Sequence, residues 1–229
     1  MVQDIHFIGT SHIAKQSVDE IAQAVTQYKP DIIAVELDMQ RAEALFKEQP
    51  TSLSPHQISK IGVKGYLFAK FGQKIQQRLG KMVGVAPGSE MKAAIQEAKK
   101  ANIPVAFIDQ PIQITLRKLS QKITWRERFR FALDLVKGII FPKKQLQKWG
   151  WAKFDLRTVP EKKVILAMMD HFRTRYPSLY YTLVEERNIY MVKKLVRLLR
   201  ENPGKKILVI VGAGHEKGMK ELLLKVDVV

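Results

Sequence analysis

Four polar side chains stand where apolar runs end: His12 after HFIGTSH, Glu36 in IIAVEL, Asp109 after VAFI, and His215 after ILVIVGAG. Two histidines and one glutamate are a ligand set that holds a divalent metal while leaving a position open for water. An ion held so generates hydroxide near neutral pH and polarises a carbonyl. The same residues also have a structural reading, in which His12 and His215 are capping or hydrogen-bonded histidines and Glu36 pairs with Arg41 in the following turn. Asp109 is ambiguous in the same way: Arg117 or Arg187 could neutralise it, or these arginines could hold an oxyanion. Glu90 is a candidate general base, although a carboxylate in the first turn of a helix commonly serves the helix dipole.

Other chemistries fit less well. Gly212 and Gly214 resemble the start of a dinucleotide fingerprint, but position 217 is Lys217 and only eleven residues follow Gly218, too few for the βαβ unit such a site requires. His215 and Glu216 begin like H-E-x-x-H, yet the fifth position is Met219. Gly9-Thr10-Ser11-His12-Ile13 lacks the closing glycine of a nucleophile elbow, which makes Ser11 a turn residue. With no cysteine, a thiol nucleophile, a disulfide framework and a Cys-rich zinc site are all excluded. His6, His56 and His171 are not set at strand ends beside these candidates and read as ordinary.

Elements must bring these residues together. Ile5 to Ile8, Ile32 to Leu37, Ile103 to Ile108 and Ile207 to Val211 read as buried strands separated by helical stretches, which indicates an α/β domain with a parallel sheet covered on both faces. Ligands of such sheets bind beyond the carboxyl ends of the strands, and a sharp glycine turn after the last strand would aim His215 there. Ser17 with Glu20 predicts a capping box for a first helix that carries Ile21, Val25 and Tyr28 and stops near Pro30. Ser89 predicts the cap of a helix over Glu90 to Lys100, with Met91, Ala94, Ile95 and Ala98 on its apolar face. Residues 111–200 form a largely helical insertion within a single domain spanning 1–229, broken near Pro142, Pro160 and Pro177. Its last helix, about Ser178 to Arg200, puts Arg187 on the same face as Leu183, Met191, Leu195 and Leu198, where a guanidinium needs a carboxylate or an anionic ligand.

The formal charge of +17 favours anionic partners. Arg117 to Arg157 holds twelve Lys or Arg together with Trp125, Phe129, Phe131, Phe141, Trp149, Trp151 and Phe154. Either this is a solvated basic stretch whose aromatics enter the core, or it lies on an anionic membrane surface. Nucleic acid is disfavoured because no recognised binding motif accompanies the charge. No apolar run approaches the length of a membrane span, and the N-terminal sequence lacks the pattern of a signal peptide, so the expected location is cytoplasmic, peripheral to or tethered at a membrane.

GTSHIAKQS, VELDMQR, PGSEMKAAI, IDQPIQITLRK, EERNIYM and VIVGAGHEKG, in that order, resemble the TraB/PrgY family, which is related to the Tiki proteases and more distantly to erythromycin esterase and the ChaN-like proteins. Its two G-x-x-H motifs and glutamate fall on His12, His215 and Glu36. Arg41, Glu90, Asp109, Arg117, Glu186 and Arg187 are further family-like positions, with Arg41, Arg117 and Glu186 assigned to substrate. The resemblance implies a metal-dependent hydrolase, peptidase-like, with manganese or cobalt as in the Tiki branch, or zinc. Relatives on the PrgY branch block peptide pheromones by degradation or sequestration, so a non-catalytic module for a peptide or another anionic ligand is the alternative. A peptide or small-molecule substrate and a second copy of the chain are the expected partners. Many microbial members continue into membrane-spanning helices, so this chain is either a soluble member or a domain of a longer protein.

Overall fold

The computed structural model describes residues 4–10, 15–47, 66, 70, 88–140 and 162–226. Four strands, β1 (Ile5–Thr10), β2 (Ile32–Val35), β3 (Val105–Phe107) and β4 (Ile207–Gly212), form one parallel sheet in the order β1-β4-β2-β3. The last strand of the chain is therefore internal. That placement accounts for its six consecutive buried residues, while edge strands β1 and β3 are only partly buried.

Alternation along the strands sorts the core into two layers. Ile33, Val35, Leu208 and Ile210 face α1 (Lys15–Tyr28) and α3 (Ser89–Lys100), meeting Ile21, Val25, Met91, Ala94 and Ala98; Ala42 of α2 (Met39–Phe46) joins this layer. Ile32, Ala34, Ile207, Val209 and Val211 face the other way, against α8 (Glu186–Glu201) and α9 (Ala213–Val226), through Met191, Leu195, Met219 and Leu223. Helices on both faces of a parallel sheet make the α/β fold expected from the apolar runs.

Between β3 and β4 the described chain is helical: α4 (Ile112–Lys122), α5 (Trp125–Ile140), α6 (Lys162–Arg175), α7 (Pro177–Tyr180) and a π turn, Tyr181–Glu185, leading into α8. Leu119, Tyr176 and Leu179 form a separate small core for α4, α6 and α7. Pro177 opens α7 at its first turn, where a missing amide hydrogen costs nothing. Pro142, Pro160 and the aromatics of 141–157 lie outside the described residues. Among the described residues no helix is long and apolar enough to cross a membrane.

Both predicted caps are corrected. α1 already begins at Lys15, so Ser17 is inside the helix and not at its cap. Ser89 is the first helical residue of α3, and Gly88 takes the cap position at φ +82°, a left-handed conformation that favours glycine. The sharp glycine turn after β4 is absent as well: among the described residues only Gly88 and Gly204 are glycines with positive φ, and β4 passes straight into α9 at Ala213. Glycines of the two motifs answer a different need. A β-carbon on Gly9 would sit 2.5 Å from Glu216 Oε2, and one on Gly218 would sit 2.5 Å from Asn188 Nδ2, so they allow α9 to close on β1 and on α8.

Candidate functional site

Register places the strand ends together: Thr10 pairs with Gly212, Val35 with Ile210, and Phe107 with Val35. Glu36 leaves β2 and accepts from the Gly212 amide at 2.7 Å through Oε2. Asp109 follows β3, with its Oδ1 accepting from the Gln110 amide at 2.7 Å. His215 stands in the first turn of α9. All three are nearly sealed from solvent, with 6%, 1% and 7% of their surface exposed.

Arg187, in the first turn of α8, joins them. Its Nη2 donates to Glu36 Oε1 and, at 2.7 Å, to Asp109 Oδ2; its Nε reaches Asp109 Oδ1 at 3.1 Å; its Nη1 lies 3.1 Å from His215 Nε2 and 3.2 Å from the Leu183 carbonyl. The π turn, in which the Glu186 amide donates to the Tyr181 carbonyl, leaves the Leu183 carbonyl to accept from Arg187. Burial alone would depress the Arg187 pKa, but the Glu36 and Asp109 carboxylates outweigh it and hold the group above the ordinary guanidinium value.

The same contacts fix the histidine tautomer. A guanidinium can only donate, so His215 Nε2 presents its lone pair, and Nδ1 carries the proton that it donates to Asn188 Oδ1 at 2.6 Å. Glu36 Oε1 lies 3.4 Å from His215 Nε2. Two acceptors thus face one point, and a cation from the protein's own chain satisfies both.

Arg41 forms a second tier. Asp38 caps α2 by accepting from the Arg41 amide at 3.0 Å, holds Arg41 Nε at 2.8 Å, and so directs Arg41 Nη2 onto Asp109 Oδ2. Arg41 therefore pairs with Asp38 and Asp109, in place of the Glu36 pairing considered from sequence. Arg117 is exposed on α4, and the guanidiniums on Asp109 belong to Arg41 and Arg187. In this cluster three carboxylates, Glu36, Asp38 and Asp109, meet two guanidiniums, an excess of one negative charge against a strongly basic background.

Glu186 is Arg187's neighbour in sequence and turns elsewhere: its Oε1 accepts from Lys118 at 3.3 Å and Lys122 at 2.8 Å, both on α4. Glu90 is buried in the first turn of α3. Because α3 leads directly into the start of β3, its first turn points to the carboxyl ends of the strands. His12 lies outside the described residues, two positions beyond Thr10. Sequence reasoning missed Asn188, Asp38 and the role of Gly218. Asn188 directly follows Arg187 in EERNIYM and is 4% exposed on the helix's inner face, so a polar residue among apolar core positions was the available signal.

The profile of the TraB/PrgY/gumN family matches residues 2–226. The chain belongs to that family. Over 226 residues it is 30% identical to the uncharacterized protein MJ1365 of Methanocaldococcus jannaschii, covering 98% of this chain and 54% of that one. It is 23% and 22% identical to the TraB domain-containing proteins of Homo sapiens and Mus musculus, over 95% of this chain and 62% of theirs. The chain thus spans between 54% and 62% of the length of these curated relatives. In this TraB/PrgY/gumN member no group of three His, Asp or Glu side chains is arranged to hold a metal among the described residues. Glu36 and His215 do form a pair suited to one: two ligands at about 2.1 Å from a tetrahedral ion stand about 3.4 Å apart, which matches their separation of 3.4 Å. The lone pair at Nε2, with Nδ1 anchored by Asn188, is the tautomer that a metal-binding imidazole requires.

Proposed function

We propose that the protein is a metal-dependent hydrolase of peptide or related acyl bonds, with His215, Glu36 and His12 as the residues that would hold one manganese, cobalt or zinc ion. The observation that carries this reading is the facing pair of acceptors, Glu36 Oε1 and His215 Nε2, with the second nitrogen of the imidazole pinned by Asn188. When bound, a divalent ion supplies activated water near neutral pH and a Lewis acid for the carbonyl.

The protein's own residues do the rest. Asn188 keeps the imidazole from rotating, and the Gly212 amide keeps Glu36 at the strand end. Arg187 occupies the point that both acceptors address, so it must withdraw toward Asp109, its other partner, and there it steadies the negative charge that develops on the substrate oxygen. Asp109 and Glu90 are the buried carboxylates left to move protons.

Manganese titration by calorimetry tests this, followed by incubation with a peptide library. The expected result is about one ion per chain, with uptake and hydrolysis both abolished in His12→Ala and in His215→Ala. Unchanged uptake in both variants would falsify the assignment. A second reading is a binding module that captures a peptide or another anionic ligand without chemistry, favoured by the fact that the Arg187 guanidinium already satisfies both acceptors. It predicts ligand retained intact with every metal, and binding that survives Glu36→Gln.

A further inference from the structure

Helix α5 is attached to the domain by its polar side. Glu127 and Asp134, its two acidic residues, are 3% and 7% exposed. Glu127 accepts from the Ser178 amide at 2.7 Å and from the Thr124 amide and hydroxyl at 3.1 and 2.9 Å. Asp134 accepts a fork from Arg175 at 2.6 Å on both oxygens and the Tyr176 hydroxyl at 2.5 Å. Phe131 packs beside them in the small core.

The opposite side carries Trp125, Phe129 and Leu133, with 78%, 69% and 41% of their surface exposed. Spacings of four residues stack them along one stripe about 12 Å long. A helix that buries its carboxylates and presents a tryptophan, a phenylalanine and a leucine has its amphipathicity reversed relative to a packed surface helix. Such a stripe marks an interaction site.

Charge selects the occupant. Arg126 and Lys137 are exposed along one border of the stripe. On the other border Arg128 lies over the Trp125 ring at 5.2 Å. With both acidic residues turned inward, the described side chains on the outward side of α5 are cations and apolar groups alone. A second copy of the chain would bring the same cations and a like charge of +17, which opposes self-association. An anionic bilayer answers both halves of the surface: phosphate groups for Arg126 and Lys137, and the boundary of the acyl chains for Phe129, Leu133 and the Trp125 ring, whose indole N–H can sit at headgroup level. We propose that α5 docks this domain on an anionic lipid surface, with Trp125, Phe129 and Leu133 inserted and Arg126 and Lys137 on the headgroups.

The test uses the full chain and two kinds of vesicle, phosphatidylcholine alone and phosphatidylcholine mixed with phosphatidylglycerol. The expected result is co-sedimentation with the mixed vesicles only, weakening as salt rises. Trp125→Ser with Phe129→Ser should lower partitioning by about tenfold or more, since each ring loses most of its transfer free energy, and Arg126→Glu with Lys137→Glu should abolish it. These side chains face solvent, so circular dichroism and the melting temperature should match the parent protein. In a Trp149→Phe, Trp151→Phe background, brominated lipid should quench Trp125 fluorescence. Absence of binding to the mixed vesicles, partitioning unaffected by the double serine variant, or lack of quenching would each overturn the proposal. So would a dimer in solution that the double serine variant converts to monomer, because a second copy would then be the occupant.

Discussion

Two arginines with buried carboxylate partners, Arg175 and Arg187, are built differently. Arg175 meets one carboxylate, Asp134, in a matched two-pronged fork closed by the Tyr176 hydroxyl, all from α5, α6 and the residue between α6 and α7. Every charge there has its complement, and the group reads as a lock between helices. Arg187 gathers Glu36, Asp109 and the His215 imidazole from three separate strand ends, while Arg41 competes for Asp109. Acidic charge is in excess there, and an imidazole lone pair is held by a cation that has other partners. A lock needs matched charges; a centre that exchanges one cation for another needs a surplus of acceptors. Two surface hollows, of about 400 and 380 Å³, are lined by Val192, Arg197 and Val226 and by Arg173, Tyr180 and Tyr181 respectively, and neither has Glu36, Asp109, Arg187 or His215 in its walls. Glu36, Asp109 and His215 are themselves nearly sealed from solvent.

The largest effect should come from breaking the ion pairs of each arginine. Arg187→Met leaves the buried Glu36 without its guanidinium and Asp109 with Arg41 alone, and should cost about 3–5 kcal/mol in urea unfolding. Millimolar manganese should restore part of that loss, and Arg187→Lys, which keeps the charge without the fork, should stand between the two. Asp134→Ala should cost less, about 1–3 kcal/mol, because the Arg175 side chain is 33% exposed and can be hydrated; manganese should not restore it. If the two variants respond alike to manganese, the distinction between centre and lock is wrong.

Next in size is the imidazole anchor. Asn188→Leu removes the acceptor that holds Nδ1 and should weaken manganese binding by about 10–100-fold, the range for lost outer partners of a metal ligand. Gly218→Ala should act in the same direction without touching the histidine, since its new β-carbon would stand 2.5 Å from Asn188 Nδ2. Calorimetric titration of both variants measures this. Affinity equal to that of the parent protein in both would remove Asn188 from the centre.

The lock should show itself in pH. The hydrogen bonds from Arg175, aided by the Tyr176 hydroxyl and opposed by burial, hold the Asp134 carboxyl below its usual range. Its contribution is complete above the unfolded carboxylate value and disappears as pH falls through the depressed folded value. Tyr176 behaves in the opposite sense: burial first, then the Asp134 hydrogen bond, pushes its hydroxyl up from 10.0 to about 12. Its contribution is therefore complete below pH 10 and is lost as pH rises through about 12. Tyr176→Phe should cost about 1.5 kcal/mol near neutrality and flatten the alkaline side of a plot of melting temperature against pH, while Asp134→Asn flattens the acid side. Slopes unchanged in both variants would mean that other groups set the pH limits.

Much of this was legible in the sequence because burial writes itself in apolar runs: four runs gave four strands, and Glu36, Asp109 and His215 interrupt or follow them where the core ends. Arg187 was legible for the converse reason, a charge on a face that must be buried. Sheet order was not, because placing β4 between β1 and β2 depends on which edges the intervening helices leave open, and no local pattern encodes that. Asn188 and the Asp38–Arg41–Asp109 chain were hidden because their partners are distant in sequence and polar residues on a helix usually face water. The motif glycines do not make the sharp turn their sequence suggests: they relieve crowding between elements, which only the packed structure reveals. For Trp125 and Phe129 the sequence pattern does not choose between core and membrane surface, since the deciding fact is that Glu127 and Asp134 take the inner face.

The smallest effect separates two adjacent residues. Glu186 and Arg187 are neighbours on α8, about 100° apart around the helix, and Glu186 turns to Lys118 and Lys122, whose side chains are 36% and 41% exposed. Pairs with lysines so exposed contribute about 0.2–1 kcal/mol each. Part of that is offset by Glu186 Oε2, which is buried without a hydrogen-bond partner among the described residues. Glu186→Gln should therefore lower stability by about 0.5–1 kcal/mol at low salt and by less at high salt, where the lysine pairs are screened. Manganese affinity should be unaltered, because the residue clasps α4 and does not face the imidazole. A change in affinity comparable with that of Asn188→Leu would move Glu186 from the clasp into the centre, and the boundary drawn between positions 186 and 187 would have to be redrawn.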